Sequence, residues 1–250
     1  LVEISEGEAQ VEAVLALADA SEAAGTPADA RGPLESVLAS QPSEPRLRER
    51  LKEIYKASGA YLELAEIELA EAALAPDDET RFELYRHAGE LFVGAGEYER
   101  ALMALEAAYG IHPEDHRTVV ALIDARTASG QLAEAGALLE SAIENHPKHR
   151  SPELSELQHR MARLASVGGD RRLEMDWLNQ ALLTDKQNLH AATELAELAM
   201  ELGEYDTAME ALRAITLSKV DGPMSRAMAF LKQAQISHER GESRRALLWA

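Results

Sequence analysis

Two short stretches hold residues that could do chemistry: HPEDH, with His112 and His116, and HPKH, with His146 and His149. A metal site would need further donors converging from elsewhere in the chain, and nothing in the sequence supplies them. Each pair brackets a proline, Pro113 or Pro147, which makes exposed histidines at a helix junction the simpler reading. There is no cysteine, which excludes thiolate metal sites, cysteine nucleophiles and a disulfide framework. The chain has no HExxH, no phosphate-binding glycine loop and no GxSxG elbow. GAG at 94–96 lies in a helical pattern without the strand that a dinucleotide site requires. The sequence thus implies no catalytic residue, no metal site, no cofactor and no enzyme.

Charge is the other chemical resource. Lys and Arg number 25 against 44 Asp and Glu, a net charge of -19 that repels nucleic-acid phosphates and anionic membrane surfaces. Residues 1–80 carry 18 acidic and 6 basic side chains. Residues 148–172 reverse the balance with six basic and three acidic ones. That local basic island is either an ordinary solvated helix face or an anchor for an acidic peptide, with Arg160 and Arg163 as bidentate donors. No charge-free run exceeds eight residues, far short of the roughly 20 needed to span a bilayer, so no membrane contact is expected. The absence of cysteine fits cytoplasm and periplasm alike, and the compartment stays undecided.

The elements that must position these charges are helices. The apolar fraction is 46%, the aromatic fraction only 4%, and Ala, Leu and Glu are abundant, which favours helices packed through small side chains. GEYERALMALEAAYGIHP at 96–113 and GQLAEAGALLESAIENHP at 130–147 place Gly, Ala, Ala and Pro alike, 34 residues apart. Gly25, Gly59, Gly96, Gly130, Gly169, Gly203 and Gly241 follow one another at 34, 37, 34, 39, 34 and 38 residues. Each stands between two amphipathic stretches, as a helix-ending glycine does. The alternation predicts an extra helical turn or a longer loop at every second junction. RSPEL at 150–154 and GPMSR at 222–226 mark two of these, and duplication of a two-repeat unit would produce the pattern.

Tyr85, Gly89, Phe92, Gly96, Tyr98, Ala101, Leu105, Ala108 and Pro113 stand at tetratricopeptide-repeat spacing, and the chain resembles that family over nearly its whole length. Copies fall at about 11–44, 45–81, 82–115, 116–149, 155–188 and 189–222, with a seventh cut off over 227–250. The resemblance implies an all-α, right-handed superhelical α-solenoid of stacked antiparallel helix pairs, one solenoid over 1–250. Small residues such as Gly89, Ala101 and Ala108 mark close helix approaches, where a larger side chain would push the axes apart. Two copies depart from the pattern. Gly32 and Pro33 should delay or break the second helix of the first, and Glu174 and Lys186 replace the small alanine and terminal proline of the fifth.

Function in this family lies on the concave face, lined by the first helix of each repeat. The resemblance places there Arg46, Glu49, Arg50, Glu53 and Lys56; Glu83, Arg86, His87 and Glu90; Arg117, Val120, Asp124 and Thr127; His159, Arg160, Arg163 and Ser166; and His190, Thr193, Glu194, Glu197 and Met200. The partner-binding candidates among them are Arg46, Arg50, Lys56, Arg86, Glu90, Asp124, Thr127, His159, Arg160, Arg163, Glu194 and Glu197. So charged a groove suits an extended polar peptide. The lysine and asparagine set with which some members grip a chaperone's C-terminal carboxylate is missing. Met161, Met175, Met200, Met209, Met224 and Met228 read as core filling, with Met224 and Met228 as neighbours on a helix face, and Trp177 and Trp249 as core or inter-repeat residues.

The expected function is a non-catalytic scaffold that binds a protein or peptide, including partners with an acidic segment. A ligand-sensing or regulatory region of a larger enzyme or secretion machine is the alternative. An RNA-binding helical repeat is the weakest reading, since such proteins are usually basic. The chain opens LVEIS and closes LLWA in mid-pattern, so it reads as part of a longer chain. Its terminal face at Ala246, Leu247, Leu248 and Trp249 is then the expected place for any dimer contact.

Overall fold

The structure, a computed structural model, describes residues 7–241. It contains two compact units, Leu1–Ser129 and Gly130–Ala250. The first holds α1 (Glu8–Ala23), a 3-10 turn (Pro27–Ala30), α2 (Arg31–Ser40), α3 (Pro45–Ser58), α4 (Tyr61–Ala72), α5 (Asp78–Ala95), α6 (Tyr98–Ile111) and α7 (His116–Ala128). The second holds α8 (Leu132–Glu144), α9 (Pro152–Val167), α10 (Arg171–Thr184), α11 (Leu189–Glu201), α12 (Tyr205–Leu217) and α13 (Arg226–Glu239). Among the described residues there is no strand. Sequential helices pack on one another, α5 between α4 and α6 in the first unit and α10 on α9 and α11 in the second.

Two kinds of connection alternate, and each has its own end chemistry. Within a helix pair the turn is a left-handed glycine: Gly96 has φ 78°, its N–H reaches the Val93 carbonyl at 3.1 Å, and the Glu97 N–H reaches the Phe92 carbonyl at 2.9 Å. All seven glycines of the sequence pattern have φ between 70° and 80°. Between pairs the chain re-enters a helix through a side-chain cap instead. Asp77, Asp115, Ser151, Asn188 and Ser225 each accept a backbone N–H in the first turn of α5, α7, α9, α11 and α13.

The alternating spacing is met in two ways. First helices α1, α5 and α9 have 16, 18 and 16 residues, whereas α3, α7 and α11 have 14, 13 and 13. The last long interval is absorbed by the 218–225 loop, since α13 has only 14 residues. In the first copy the second helix does start late: the 3-10 turn occupies its beginning, and Gly32 and Pro33 lie in the first turn of α2. Where the fifth copy lacks its proline, Asp185 ends α10 and its carboxylate accepts the Gln187 N–H at 2.9 Å.

The core is built from small and branched residues. Ala101, Ala104, Leu105 and Ala108 of α6 and Phe92 of α5 are fully buried. A Cβ placed on Gly89 would lie 2.5 Å from Leu105 Cγ, so α5 and α6 touch through the missing side chain. In the second unit Leu178, Ala181, Leu195, Ala208, Leu212 and Ile236 form a continuous core, with Met175, Trp177, Met200 and Met209 packed on its edge. Met161 and Met224 are buried as expected, but Met228 is 47% exposed. Its assumed helix neighbour Met224 lies before α13, in the loop, so the two do not share a helix face. Trp249 and the terminal face at Ala246, Leu247 and Leu248 lie outside the described residues.

Candidate interaction surface

The first-helix faces carry the charged side chains the sequence places there, but most of those charges are already paired. Arg46 on α3 reaches back to Glu8 at 2.7 Å and Glu12 at 2.6 Å on α1, and to its own capping residue Glu44 at 2.9 Å. Arg50 takes Asp19 at 3.1 Å, Glu22 at 2.5 Å and Glu53 at 2.7 Å. Two guanidiniums thus collect four carboxylates from the neighbouring helix. On α5, Arg86 pairs with Glu83 and, at 3.0 Å, with Glu90, which also receives Arg117 of α7 at 3.0 Å. Thr127 turns its hydroxyl onto the Ile123 carbonyl at 2.8 Å, and Asp124 is half-buried and engaged. Lys56 is exposed, with no carboxylate within 4 Å among the described residues.

In the second unit, His159 of α9 is 2.7 Å from Glu194 of α11, and Glu197 is 3.6 Å from Lys232 of α13. Burial pushes the Glu194 carboxyl up, but the His159 hydrogen bond and the charges of His159, Arg163 and His190 outweigh it and hold the group below the usual range. Arg160 pairs with Glu156 one turn away at 2.7 Å, whereas Arg163 is exposed and, among the described residues, has no carboxylate within 4 Å. Of the six basic residues in 148–172, Lys148, Arg150, Arg163 and Arg172 make no ion pair among the described residues.

Several contacts are absent from the sequence reading. Lys52 bridges Glu49 and Glu71 at 2.8 and 3.0 Å. The buried Glu68 carboxylate meets His87 Nδ1 at 2.5 Å; burial raises its pKa against the pull of His87. Ser155, fully buried, donates to the Ala181 carbonyl at 2.8 Å and lies 2.9 Å from Asn188 Nδ2. One signal could have found the inter-repeat pairs. Glu12 with Arg46 and Glu66 with Arg100 are 34 residues apart, His159 with Glu194 and Glu197 with Lys232 are 35 apart, so opposite charges recur at the repeat period itself.

His112 and His146 serve local structure. His112 stands edge-on to Phe82, ring centroids 4.7 Å apart, and pairs with Glu79 at 3.2 Å and Glu114 at 3.3 Å. His146 Nδ1 faces the Lys148 backbone, and among the described residues no three His, Asp or Glu converge as a metal would require. Partial burial lowers the His112 pKa, but its two carboxylates win and raise it. A folded-state pKa above the unfolded one stabilises below the unfolded value, about 6.5, and the gain is lost as pH rises through the folded value. His112→Gln should therefore lower the denaturant midpoint more at about pH 5.5 than at about pH 8.5. An equal loss at both values would leave only the ring contact with Phe82.

Antiparallel helix pairs with glycine turns, small-residue contacts and charged first-helix faces define a helical-repeat protein. Residues 92–161 match the profile of the tetratricopeptide repeat. That segment therefore carries tetratricopeptide repeats, and the helix pairs on either side of it share the fold of solved repeat proteins. A tetratricopeptide repeat protein from Parabacteroides merdae is similar at 16% identity and a TM-score of 0.55, over 95% of this chain and 90% of that one. Pseudomonas aeruginosa pilF is similar at 13% identity and 0.58, over 81% and 86%. A double mutant of MamA RS-1 is similar at 14% and 0.54, over 68% and 90%. At these identities the likeness is one of fold. No curated protein matches the chain. Among the described residues no helix is long and apolar enough to cross a membrane.

Proposed function

We propose that the chain is a non-catalytic scaffold that binds a peptide or partner protein on its first-helix faces, the concave side in this family, and that the 148–172 segment takes an acidic stretch of the partner. The observation that carries this reading is the contrast in pairing. Arg46, Arg50 and Arg86 are neutralised by their own neighbours, whereas Lys148, Arg150 and Arg163 are exposed and, among the described residues, have no carboxylate within 4 Å. A cation held in a structure without its own counter-ion is available to an external one. The paired residues then set the geometry of the face and contribute little attraction for a partner.

A fluorescein-labelled octaglutamate peptide tests the anchor. It should bind in about 50 mM salt and weaken as salt shortens the screening length to about 8 Å. Exposed ion pairs contribute about 0.2 to 1 kcal/mol each, so reversing Lys148, Arg150 and Arg163 to Glu together should weaken binding about tenfold or more. Binding that the triple variant leaves unchanged would remove the segment from the site.

A further inference from the structure

We propose that the second unit carries another docking site, on the side of the second helices, for a partner segment that combines apolar side chains with carboxylates. A cavity of about 790 Å³ opens between the C-terminal ends of α10 and α12 and the 218–225 loop. Its apolar lining is Leu183, Ala214, Leu217 and Val220. Leu183, Leu217 and Val220 are 55, 73 and 56% exposed. Each helix has already met its packing needs nearby, through Leu182 at 3% and Ile215 at 2% exposure, so these three side chains are surplus to the core. Single exposed leucines are ordinary, but three around one cavity of ligand-binding size are not scattered.

The rim gives the occupant its charge. Lys186 and Lys219 flank the cavity, Arg213 projects from the last turns of α12, and among the described residues none of the three has a carboxylate within 4 Å. Glu210 is the one acidic residue of the lining. Two helix ends contribute partial negative charge of about half a unit each, which reduces the positive balance without cancelling it. In a chain of net charge -19, a positive and apolar hollow selects a carboxylate-bearing segment over a basic one. An anionic membrane offers similar chemistry, but the chain's overall charge opposes approach to such a surface and the site is concave.

The loop wall is fixed before anything binds. The Ser218 hydroxyl donates to the Val220 carbonyl at 3.0 Å and accepts the Val220 N–H at 3.1 Å. Gly222 lies so close to α11 that a Cβ there would be 2.8 Å from the Leu189 side chain. Val220 is thus held at the cavity's edge, and little ordering remains to oppose binding.

The test uses the full chain and three fluorescein-labelled peptides: Asp-Leu-Leu-Asp-Glu-Leu, the same sequence with lysine at each acid, and the same with serine at each leucine. The first should bind, and the other two should bind at least tenfold more weakly. Arg213→Glu with Lys219→Glu, and separately Leu217→Ser, should each lower affinity for the first peptide at least tenfold. These residues lie outside the core, and circular dichroism should confirm an unchanged fold. The Lys148, Arg150 and Arg163 reversals should leave this binding intact, which separates the site from the 148–172 segment. Equal binding of the lysine peptide, or loss of binding only in those reversals, would overturn the proposal. So would association with vesicles of phosphatidylserine and phosphatidylcholine without peptide binding, or self-association that the Arg213 and Lys219 reversals abolish.

Discussion

Leu105→Ala is expected to lower stability by about 3 to 4 kcal/mol, the cost of emptying a fully buried leucine site that rigid helices cannot close. The same leucine determines what Gly89 can become. Ordinary carbon contacts lie at about 3.5 to 4.0 Å. A Cβ at position 89 would meet Leu105 Cγ at 2.5 Å and Cδ2 at 2.6 Å. Alanine is the better helix former by about 1 kcal/mol, while overpacking costs about 1 to 3 kcal/mol, so Gly89→Ala alone should destabilise slightly. In the Leu105→Ala background the new methyl enters vacated space and the substitution should become stabilising, giving a coupling of about 2 kcal/mol. Repeat arrays depart from two-state unfolding, so hydrogen exchange across α5 and α6 should be read beside denaturant midpoints. Additive effects would mean that the two helices do not meet at this pair.

Asn188→Ala should cost about 2 to 3 kcal/mol, because one side chain serves two ends at once. Its Oδ1 accepts the Ala191 N–H at 3.0 Å and caps α11, while its Nδ2 donates to the buried Ser155 hydroxyl of α9 at 2.9 Å. That hydroxyl donates onward to the Ala181 carbonyl of α10 at 2.8 Å. Asn188→Asp keeps the cap oxygen but replaces the donor by an acceptor, and should fall between alanine and the parent. Ser155→Ala strands the amide donor and should cost about 1 to 2 kcal/mol. Once Asn188 is alanine, removing the Ser155 hydroxyl should cost less than it does in the parent. If the two changes simply add, the three-helix link is not a unit.

The backbone plan was legible because it rests on residues whose requirements are local. A glycine at +78° and a proline after a helix announce themselves wherever the chain goes next, and Gly96 and Pro113 stand where the pattern puts them. The state of the face was less legible. Arg86 and Arg163 look alike in a sequence, yet one pairs with Glu83 and Glu90 while the other acts on Glu194 only at a distance, with no carboxylate within 4 Å among the described residues. Pairing depends on which turn of the next helix lies opposite, and an insertion of three to five residues at alternate junctions shifts that register. Met228 was misplaced for a related reason: the extra length before α13 is loop, so the helix begins at Arg226 and its exposed side differs from that of a simple repeat. Ser155 gave no warning, since a serine within an amphipathic stretch is usually at the surface.

The unequal lengths of the first helices also say something about inheritance. Gly25 to Gly96 and Gly59 to Gly130 are each 71 residues, Gly96 to Gly169 and Gly130 to Gly203 are each 73, and Gly169 to Gly241 is 72. Single intervals vary, but pairs of intervals hardly do. Duplication of a phrase of two helix hairpins would produce this, with the extra residues in the opening helices α5 and α9 and in the loop before α13. A lineage that copied or lost this phrase would keep long and short in phase, whereas gaining one 34-residue copy would set two short openings side by side and break the metre.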